Sequence, residues 1–512
     1  MSHEPPKIRI IWDTLKYTAA TYVSQGLGMV TSILLRRLLG PTLMGVWSVL
    51  QVILGYCGYA SFGTTKAMAR DYPYLKGRGE TEKAEKLKDM VTAFSMVMSV
   101  IPAAMLLGYA TVRYHQIDPF FRSGLYFLAG FLFLQRFYDI VINLLRSDKR
   151  FGTLSTVTVA NSVMTFLTVL TLVAAWKLYG IFAGTVLTSI VCLVIIFKIH
   201  PYRFTFSWNN QQILRELKLG VPLVATGFLL EFLRGLDRIM IAKYLGFDDV
   251  GLYSIAIMAN SYIFSMPMMF SHVWYPNLQE AYGRENDRIP AIKQYLLQPV
   301  DVFQVLVPYL TGLGIYFIPA VIHTFIPRFN DGIPALKIYL TGTFFLIIAH
   351  LSSNFLVTID KYFREIPALA AGIVVHFSLS TYLLNSGRGI ESVALSTALS
   401  FALYGLSVHL LALRFCVKRH ELFPRLLGLI LFAVGGFAAV FLIDQIRLAH
   451  SMESMMLKSA VLTIVYAPFF WVINKKTGLF RVLKETLSSK LGGRRPAPDA
   501  GIPDEPFDIP HE

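Results

Sequence analysis

The chain has 512 residues, of which 54% are hydrophobic and only 15% are charged, and its mean hydropathy is +0.54. A soluble domain is about half apolar and about a quarter charged, so this composition excludes an ordinary soluble enzyme. The 47 Lys and Arg residues outnumber the 32 Asp and Glu residues. Because the basic residues form short clusters between long apolar segments, they are typical of membrane topology, and we expect no nucleic-acid partner.

The apolar residues form about fourteen segments of roughly 20 residues, the length that crosses ~30 Å of hydrocarbon. The first segment covers residues 17–38 and the last covers residues 459–473. The sequence therefore predicts an all-α polytopic membrane protein. Four prolines interrupt the ninth and tenth segments, and we interpret them as kinks because membrane helices tolerate proline; they are Pro299, Pro308, Pro319 and Pro334.

Lys and Arg residues concentrate on one predicted side of the membrane. With a cytoplasmic amino terminus, the inside segments hold about three times as many of them as the outside segments, and this bias sets the orientation. We therefore expect a multi-pass protein of the inner (plasma) membrane with both termini in the cytoplasm. The basic segment from Lys66 to Lys88 predicts an amphipathic stretch on the cytoplasmic surface.

Short motifs recur at a spacing of 206 residues. Leu39-Gly40, Gly45 and Trp47-Ser48 follow the first segment, and Leu245-Gly246, Gly251 and Tyr253-Ser254 follow the seventh. Because six spans is an even number, two copies would have the same orientation, related by an axis along the membrane normal. We predict six-helix bundles at residues 1–215 and 216–420, a two-helix addition at 421–475 and a disordered cytoplasmic tail at 476–512.

Three stretches resemble a known family of exporters. They are Arg37-Leu38-Leu39-Gly40-Pro41 with Gly45-Val46-Trp47-Ser48, Asp237-Arg238-Ile239-Met240-Ile241 through Leu245-Gly246 to Gly251-Leu252-Tyr253-Ser254, and Gly389-Ile390 leading into Ala394-Leu395-Ser396-Thr397-Ala398. With the span count and order over residues 10–420, they resemble the oligosaccharide-flippase branch of the multidrug/oligosaccharidyl-lipid/polysaccharide (MOP) exporter superfamily.

The resemblance implies a transporter that works by alternating access between two parallel-repeat bundles. Its substrate would be an oligosaccharide linked to undecaprenyl diphosphate, flipped from the cytoplasmic to the outer leaflet for O-antigen, capsule or exopolysaccharide synthesis. Membrane lipids and a polysaccharide polymerase are the partners that the resemblance implies.

Charged residues inside the predicted spans are the candidate substrate-binding residues, because an ionised side chain at mid-bilayer costs ~2.5–3.5 kcal/mol. On span seven, Glu231, Arg234 and Arg238 share one helix face at about 100° per residue. Asp237 lies beside that face and within reach of Arg234. The remaining candidates are Arg136 on span four, next to Asp139, and Arg36 and Arg37 at the outer end of span one.

These residues allow two interpretations. In the first, Arg136 from one bundle and Arg234 and Arg238 from the other line a water-filled cavity and clamp a diphosphate, whose oxygens match guanidinium forks. In the second, the charges are buried ion pairs that link helices, while the pair at the end of span one only reaches the interface. Three amides either line the cavity or bond neighbouring helices: Gln25, Asn161 and Asn260.

Other functions remain as alternatives at this point. A cation-coupled multidrug exporter of the same superfamily would need an acidic, aromatic pocket, whereas this cluster is rich in arginine. A lipid-II-type flippase or a scramblase would share the lipid chemistry, and a membrane enzyme would need larger polar loops. The cysteines Cys57, Cys192 and Cys416 are too scattered for a disulfide framework or a metal site, and we expect no cofactor or metal.

Overall fold

The computed structural model describes residues 6–285, 288–446 and 452–477, and every regular element within these ranges is a helix. The predicted tail at 476–512 lies almost wholly outside the described residues. The principal helices are α1 (Pro6–Cys57), α2 (Thr64–Gly77), α3 (Thr81–Val112), α4 (Pro119–Ser147), α5 (Phe151–Thr168), α6 (Ala174–Ile199), α7 (Asn210–Tyr244), α8 (Phe247–Arg284), α9 (Lys293–Phe325), α10 (Ile333–Thr358), α11 (Ile366–Asn385), α12 (Ile390–Cys416), α13 (Arg419–Asp444) and α14 (Met452–Thr477).

Ten helical segments of the described chain are long and apolar enough to cross a membrane, and the bent helix α7 raises the number to eleven. Two of the ten, Ala20–Ser61 and Phe151–Ile199, have 42 and 49 residues. At ~1.5 Å per residue, each is about twice as long as the hydrocarbon is thick. Each contains a break, at Gly40 and at Lys177, so each makes two crossings. With α8, which is long enough but more polar, the described chain makes about fourteen crossings, as predicted.

The chain reverses direction at Gly40. Residues on both sides of the break, such as Gly28 and Gln51, line the same cavity, whereas a straight helix would place them ~35 Å apart. Gly40 has a φ of 71°, which glycine adopts without strain, and Pro41 then starts the next helix without needing a hydrogen bond for its nitrogen. We call the two parts α1a (residues 6–39) and α1b (residues 41–57).

Three of the four prolines lie inside a helix and do not end it, as expected, whereas Pro334 begins a helix instead of kinking one. Pro299, Pro308 and Pro319 all lie inside the continuous helix α9. Pro334 lies in the first turn of α10, where its missing N–H leaves no intrahelical bond unmade.

The turns at residues 40–45 and 246–251 contact each other reciprocally. A Cβ atom at Gly45 would lie 1.8 Å from the carbonyl oxygen of Phe247, and a Cβ atom at Gly251 would lie 1.9 Å from that of Pro41. Each residue of one contact is 206 positions from its counterpart in the other. Reciprocal contacts of this kind surround a two-fold axis, and they are what a parallel repeat predicts; the bundle boundaries themselves stay a prediction.

Residues 200–209 connect α6 to α7 and are tied to α3. Lys88 of α3 is 2% exposed and donates a hydrogen bond to the carbonyl of Arg203. Thr205 donates to Asp89. The connection between the two predicted bundles is therefore attached to the first bundle by buried polar contacts.

The last two helices pack against α9. The Tyr316 hydroxyl donates to the carbonyl of Val440 at 2.8 Å. Asp444, at the end of α13, pairs with Lys337 of α10 at 2.5 Å and with Lys458 of α14 at 3.3 Å. These contacts place α13 and α14 beside the second predicted bundle.

Candidate substrate cavity

A cavity of about 350 Å³ lies directly beneath the two contacting turns. Its walls come from both parts of α1 and from α5, α7 and α8. Two of the lining residues are arginines, and none is Asp or Glu. The lining residues are Gly28, Thr31, Ser32, Leu35, Arg36, Met44, Trp47, Ser48, Gln51, Asn161, Ser162, Thr165, Arg238, Ser254, Ile257, Met258, Ser261 and Tyr262.

Arg36 is the most deeply placed cation of the cavity, with 4% of its surface exposed. One guanidinium nitrogen donates to the carbonyl and the hydroxyl of Ser32, and the other donates to the carbonyl of Ser254 at 2.9 Å. Nε has no hydrogen-bond partner among the described residues. No carboxylate of the described chain lies within ion-pair distance of Arg36, so its charge is not neutralised by a direct partner.

Arg238 lies at the edge of the cavity and contacts Asp237. Its Nε is 3.6 Å from Oδ1 of Asp237, and one terminal nitrogen donates to the carbonyl of Arg234 at 3.1 Å. Asp237 is completely buried and accepts a hydrogen bond from the backbone N–H of Arg238. The expected pairing of Asp237 with Arg234 is wrong, because the carboxylate turns toward its immediate neighbour.

Glu231 and Arg234 lie on the same face of α7, one to two turns from Arg238 toward the predicted cytoplasmic side, and neither lines the cavity. The Arg234 guanidinium lies 5.1 Å from the ring centre of Phe264 on α8, a cation–π distance. A carboxylate oxygen of Glu231 lies beside Gly55 of α1b. The face therefore points toward helices of both predicted bundles, as expected from its charge.

Arg136 lies outside this cavity. Its terminal nitrogens donate to the carbonyls of Cys57 and Gly58, both at 2.9 Å, at the carboxyl end of α1b. Asp139 accepts from Gln135 and forms no ion pair with Arg136 within 4 Å, so that predicted pair is wrong. The structure thus does not bring Arg136 to Arg234 and Arg238, and Arg37 is exposed at the end of α1a.

Hydroxyl and amide residues form most of the polar wall, and of these only Asn161 was predicted as a cavity residue from the sequence. Asn260 instead accepts a hydrogen bond from Thr343 at 2.9 Å. The signal for the others is helical spacing, since Ser254, Met258 and Ser261 recur at three- to four-residue intervals. The repeat offers a second signal, because Ser48 and its counterpart Ser254 both line the cavity.

Solved structures with the same fold are transporters and flippases. The chain is similar to the lipid II flippase MurJ in an inward closed conformation, with a TM-score of 0.67 and 13% identity over 90% of this chain and 99% of MurJ. It is also similar to an inward-facing multidrug resistance MATE family transporter of the MOP superfamily, with a TM-score of 0.62 and 15% identity over 76% of this chain and 94% of the other. An outward-facing MATE family transporter gives a TM-score of 0.55 and 14% identity over 79% and 95%.

These identities establish the fold alone, which the chain shares with MurJ and with the MATE family transporters. No curated protein is similar enough to the chain to count as a match. Residues 34–325, more than half of the chain, match the family described as "Polysaccharide biosynthesis protein". The protein is therefore a multi-pass membrane protein of the polysaccharide biosynthesis protein family, with the fold seen in MurJ and in the MATE family transporters.

Proposed function

We propose that this protein flips an oligosaccharide linked to a polyprenyl diphosphate, such as undecaprenyl diphosphate, from the cytoplasmic to the outer leaflet of the inner membrane. One observation carries the proposal. Arg36 and Arg238 line a single cavity between the two predicted bundles, and no residue of its described wall is acidic.

The positive charge of this cavity favours the binding of an anion. Arg36 is buried without a carboxylate partner, and an uncompensated buried charge is costly unless a ligand neutralises it. A diphosphate diester carries dense negative charge, and guanidinium forks bind its oxygens in pairs. The unpaired Nε of Arg36 and Arg238 are the donors free to contribute.

The size and polarity of the cavity fit the head of such a lipid. A volume of about 350 Å³ is at the small end of ligand sites, so it holds a diphosphate and the adjoining sugar while the prenyl chain stays in lipid. Hydroxyls and amides of α1, α5 and α8 supply donors and acceptors for sugar hydroxyls. The reciprocal turns close the predicted external side, so alternating access requires them to separate.

The alternatives are distinguished by charge and by fold. A multidrug exporter for organic cations is disfavoured because the described wall offers cations two arginines and no carboxylate. A lipid-II-type flippase is favoured by the similarity in fold to MurJ, and it differs from our proposal only in the sugar and the pathway. In either case the product would be used at the outer leaflet by a polymerising enzyme.

The experiment uses a host strain in which this gene is deleted and surface polysaccharide is lost. When introduced into this strain, Arg36→Ala and Arg238→Ala should fail to restore polysaccharide production, although both proteins are present in the membrane. Each substitution removes hydrogen-bond donors that would bind the diphosphate of the substrate. Arg36→Lys should restore only part of the production, since lysine keeps the charge but loses the fork. The readouts are surface polysaccharide and the amount of protein in the membrane fraction.

The matched control is Arg122→Ala, which removes a partly exposed arginine bonded to the carbonyl of Tyr114 and lying outside the cavity. That variant should behave as wild type. Normal polysaccharide in both Arg36→Ala and Arg238→Ala would contradict the proposed role of the cavity.

A further inference from the structure

Asp237 and Arg238 form a loose ion pair beside the cavity. Nε of Arg238 is 3.6 Å from Oδ1 of Asp237, and the two side chains are 13% and 0% exposed. That distance is too long for a hydrogen bond. Among the described residues, neither Arg238 Nε nor Asp237 Oδ2 has a hydrogen-bond partner. Buried polar atoms are nearly always hydrogen-bonded, so it is unusual that both the arginine and the aspartate have a buried atom without a hydrogen-bond partner.

A chain of polar groups leads from Asp237 through three other helices. The Tyr253 hydroxyl of α8 faces the Asp237 carboxylate, and it lies 3.3 Å from Oγ1 of Thr397 on α12. That oxygen is 3.2 Å from Nε2 of His376 on α11. The other ring nitrogen of His376, Nδ1, has no hydrogen-bond partner among the described residues, so the chain ends on α11.

This chain can satisfy Asp237 in either protonation state. A hydroxyl donates one hydrogen bond and accepts others, and it turns to suit its neighbours. With Asp237 ionised, the Tyr253 hydroxyl donates to the carboxylate. With Asp237 protonated, the same hydroxyl accepts from the acid and donates to Oγ1 of Thr397, whose own proton goes to the backbone carbonyl of Val393.

Arg238 is the cation that contacts Asp237 directly, and it is also a wall residue of the cavity. The other groups around Asp237 come from each helix packed against it. They are Glu231 and Arg234 on α7, Tyr56 on α1b, Tyr253 on α8, Tyr339 on α10, His376 on α11 and the hydroxyl of Thr397 on α12.

We propose that Asp237 is a proton-binding site that competes with the substrate anion for Arg238. An anion in the cavity draws the guanidinium toward itself, and Asp237 takes up a proton from water in the cavity instead of remaining a buried carboxylate without a cation. Because coupling between two binding sites is reciprocal, protonation of Asp237 strengthens anion binding by the same factor. This inference rests on the proposed function, since it assumes that the cavity binds an anion.

The test measures proton uptake when the purified full-length protein binds geranyl-diphospho-glucose, a short diester of diphosphate without a titrating proton near neutral pH. Calorimetry in buffers of different ionisation enthalpy, between about pH 5.5 and pH 8, gives the protons taken up per molecule bound. For wild type we expect uptake toward one proton at the upper end of this range, and affinity that rises by up to about tenfold for each unit of falling pH.

Two variants separate the role of Asp237 from a general loss of folding. Asp237→Asn should bind without proton uptake, at every pH as tightly as wild type binds at low pH, because the competing carboxylate is gone. Thr397→Val keeps the carboxylate but interrupts the chain, so it should shift proton uptake to lower pH; it decides the question if Asp237→Asn does not fold.

The controls are a buried carboxylate and a buried histidine elsewhere in the protein. Asp139→Asn removes a carboxylate bonded to Gln135 at 2.9 Å, and His409→Gln removes a ring bonded to Ser352 at 3.0 Å. Both should keep the proton uptake of wild type, and equal loss in the controls would overturn the assignment to Asp237.

The outcomes also separate this inference from the proposed function. Binding by wild type without proton uptake overturns the inference and leaves the proposed function standing. Binding that responds to exchange of Na⁺ for K⁺ at constant pH, and not to pH, also overturns it. Absence of binding at any pH contradicts both.

Discussion

At the scale of single residues, hydrogen-bond partners distinguish the buried arginines from one another. Arg136 donates to two main-chain carbonyls and a hydroxyl, so its donors are occupied by the protein. Arg36 is equally buried but keeps Nε unpaired beside a cavity. We infer that Arg136 stabilises the bundle, whereas Arg36 is available to a ligand.

Arg136→Ala should therefore lower stability without removing substrate binding. The change leaves the carbonyls of Cys57 and Gly58 without donors, at a cost of about 1–3 kcal/mol in the free energy of unfolding. Thermal unfolding of the purified variant in detergent should show a lower midpoint, and geranyl-diphospho-glucose should still bind below that temperature. A variant with normal stability but no binding would show that Arg136 acts on the substrate after all.

The sequence predicted which charges lie in the membrane but only part of how they are arranged. Helical periodicity correctly placed Glu231, Arg234 and Arg238 on one face, because that follows from the 3.6-residue repeat. The partner of Arg136 was not predictable, since it is the end of a different helix, and main-chain carbonyls have no signature in the sequence. The same limit explains why the wall hydroxyls were missed.

At the scale of elements, the two turns after α1a and α7 are the most closely fitted contact between the predicted bundles. Gly40 and Gly246 have φ values of 71° and 109°, and Gly45 and Gly251 let the backbones touch. The dipeptide Gly40-Pro41 after an apolar segment indicated the first turn in the sequence. No proline marks the break at Lys177, which the fall in apolar character located, but Gly180 follows it and lets the backbone approach Leu172 closely.

Gly45→Ala should weaken closure of this contact, because its Cβ would lie 1.8 Å from the carbonyl oxygen of Phe247 and the turns must move apart. The readout is a disulfide between Thr42→Cys and Asp248→Cys, whose native side chains are hydrogen-bonded and exposed, in a background without the three native cysteines. We expect efficient cross-linking in the parent and clearly less in Gly45→Ala. Gly108→Ala, where a Cβ meets nothing within 4 Å, should cross-link like the parent, and equal yields in all three would refute the closure.

At the scale of the whole molecule, the predicted repeat would place the cavity that we propose as the binding site on a two-fold axis. The counterpart serines Ser48 and Ser254 both line the cavity, while its arginines are not repeated: Arg36 has Ala242 at the equivalent position, 206 residues later, and Arg238 has Ser32, 206 residues earlier. The fold was predictable because span length, even span number and repeated motifs all agree. The positions of the cavity arginines were less predictable from the sequence, because these residues do not follow the internal repeat.

Transport of a lipid-linked sugar across a bilayer is the direct test of the proposed flippase function. The purified protein is reconstituted in liposomes with a fluorescently labelled oligosaccharide on polyprenyl diphosphate, and a membrane-impermeant reductant quenches the label in the outer leaflet. We predict that wild type exposes nearly all of the label, whereas Arg36→Ala, Arg238→Ala and protein-free liposomes protect the inner-leaflet share. Quenching no greater than in protein-free liposomes, or equal flipping of a neutral polyprenyl lipid without diphosphate, would contradict the account.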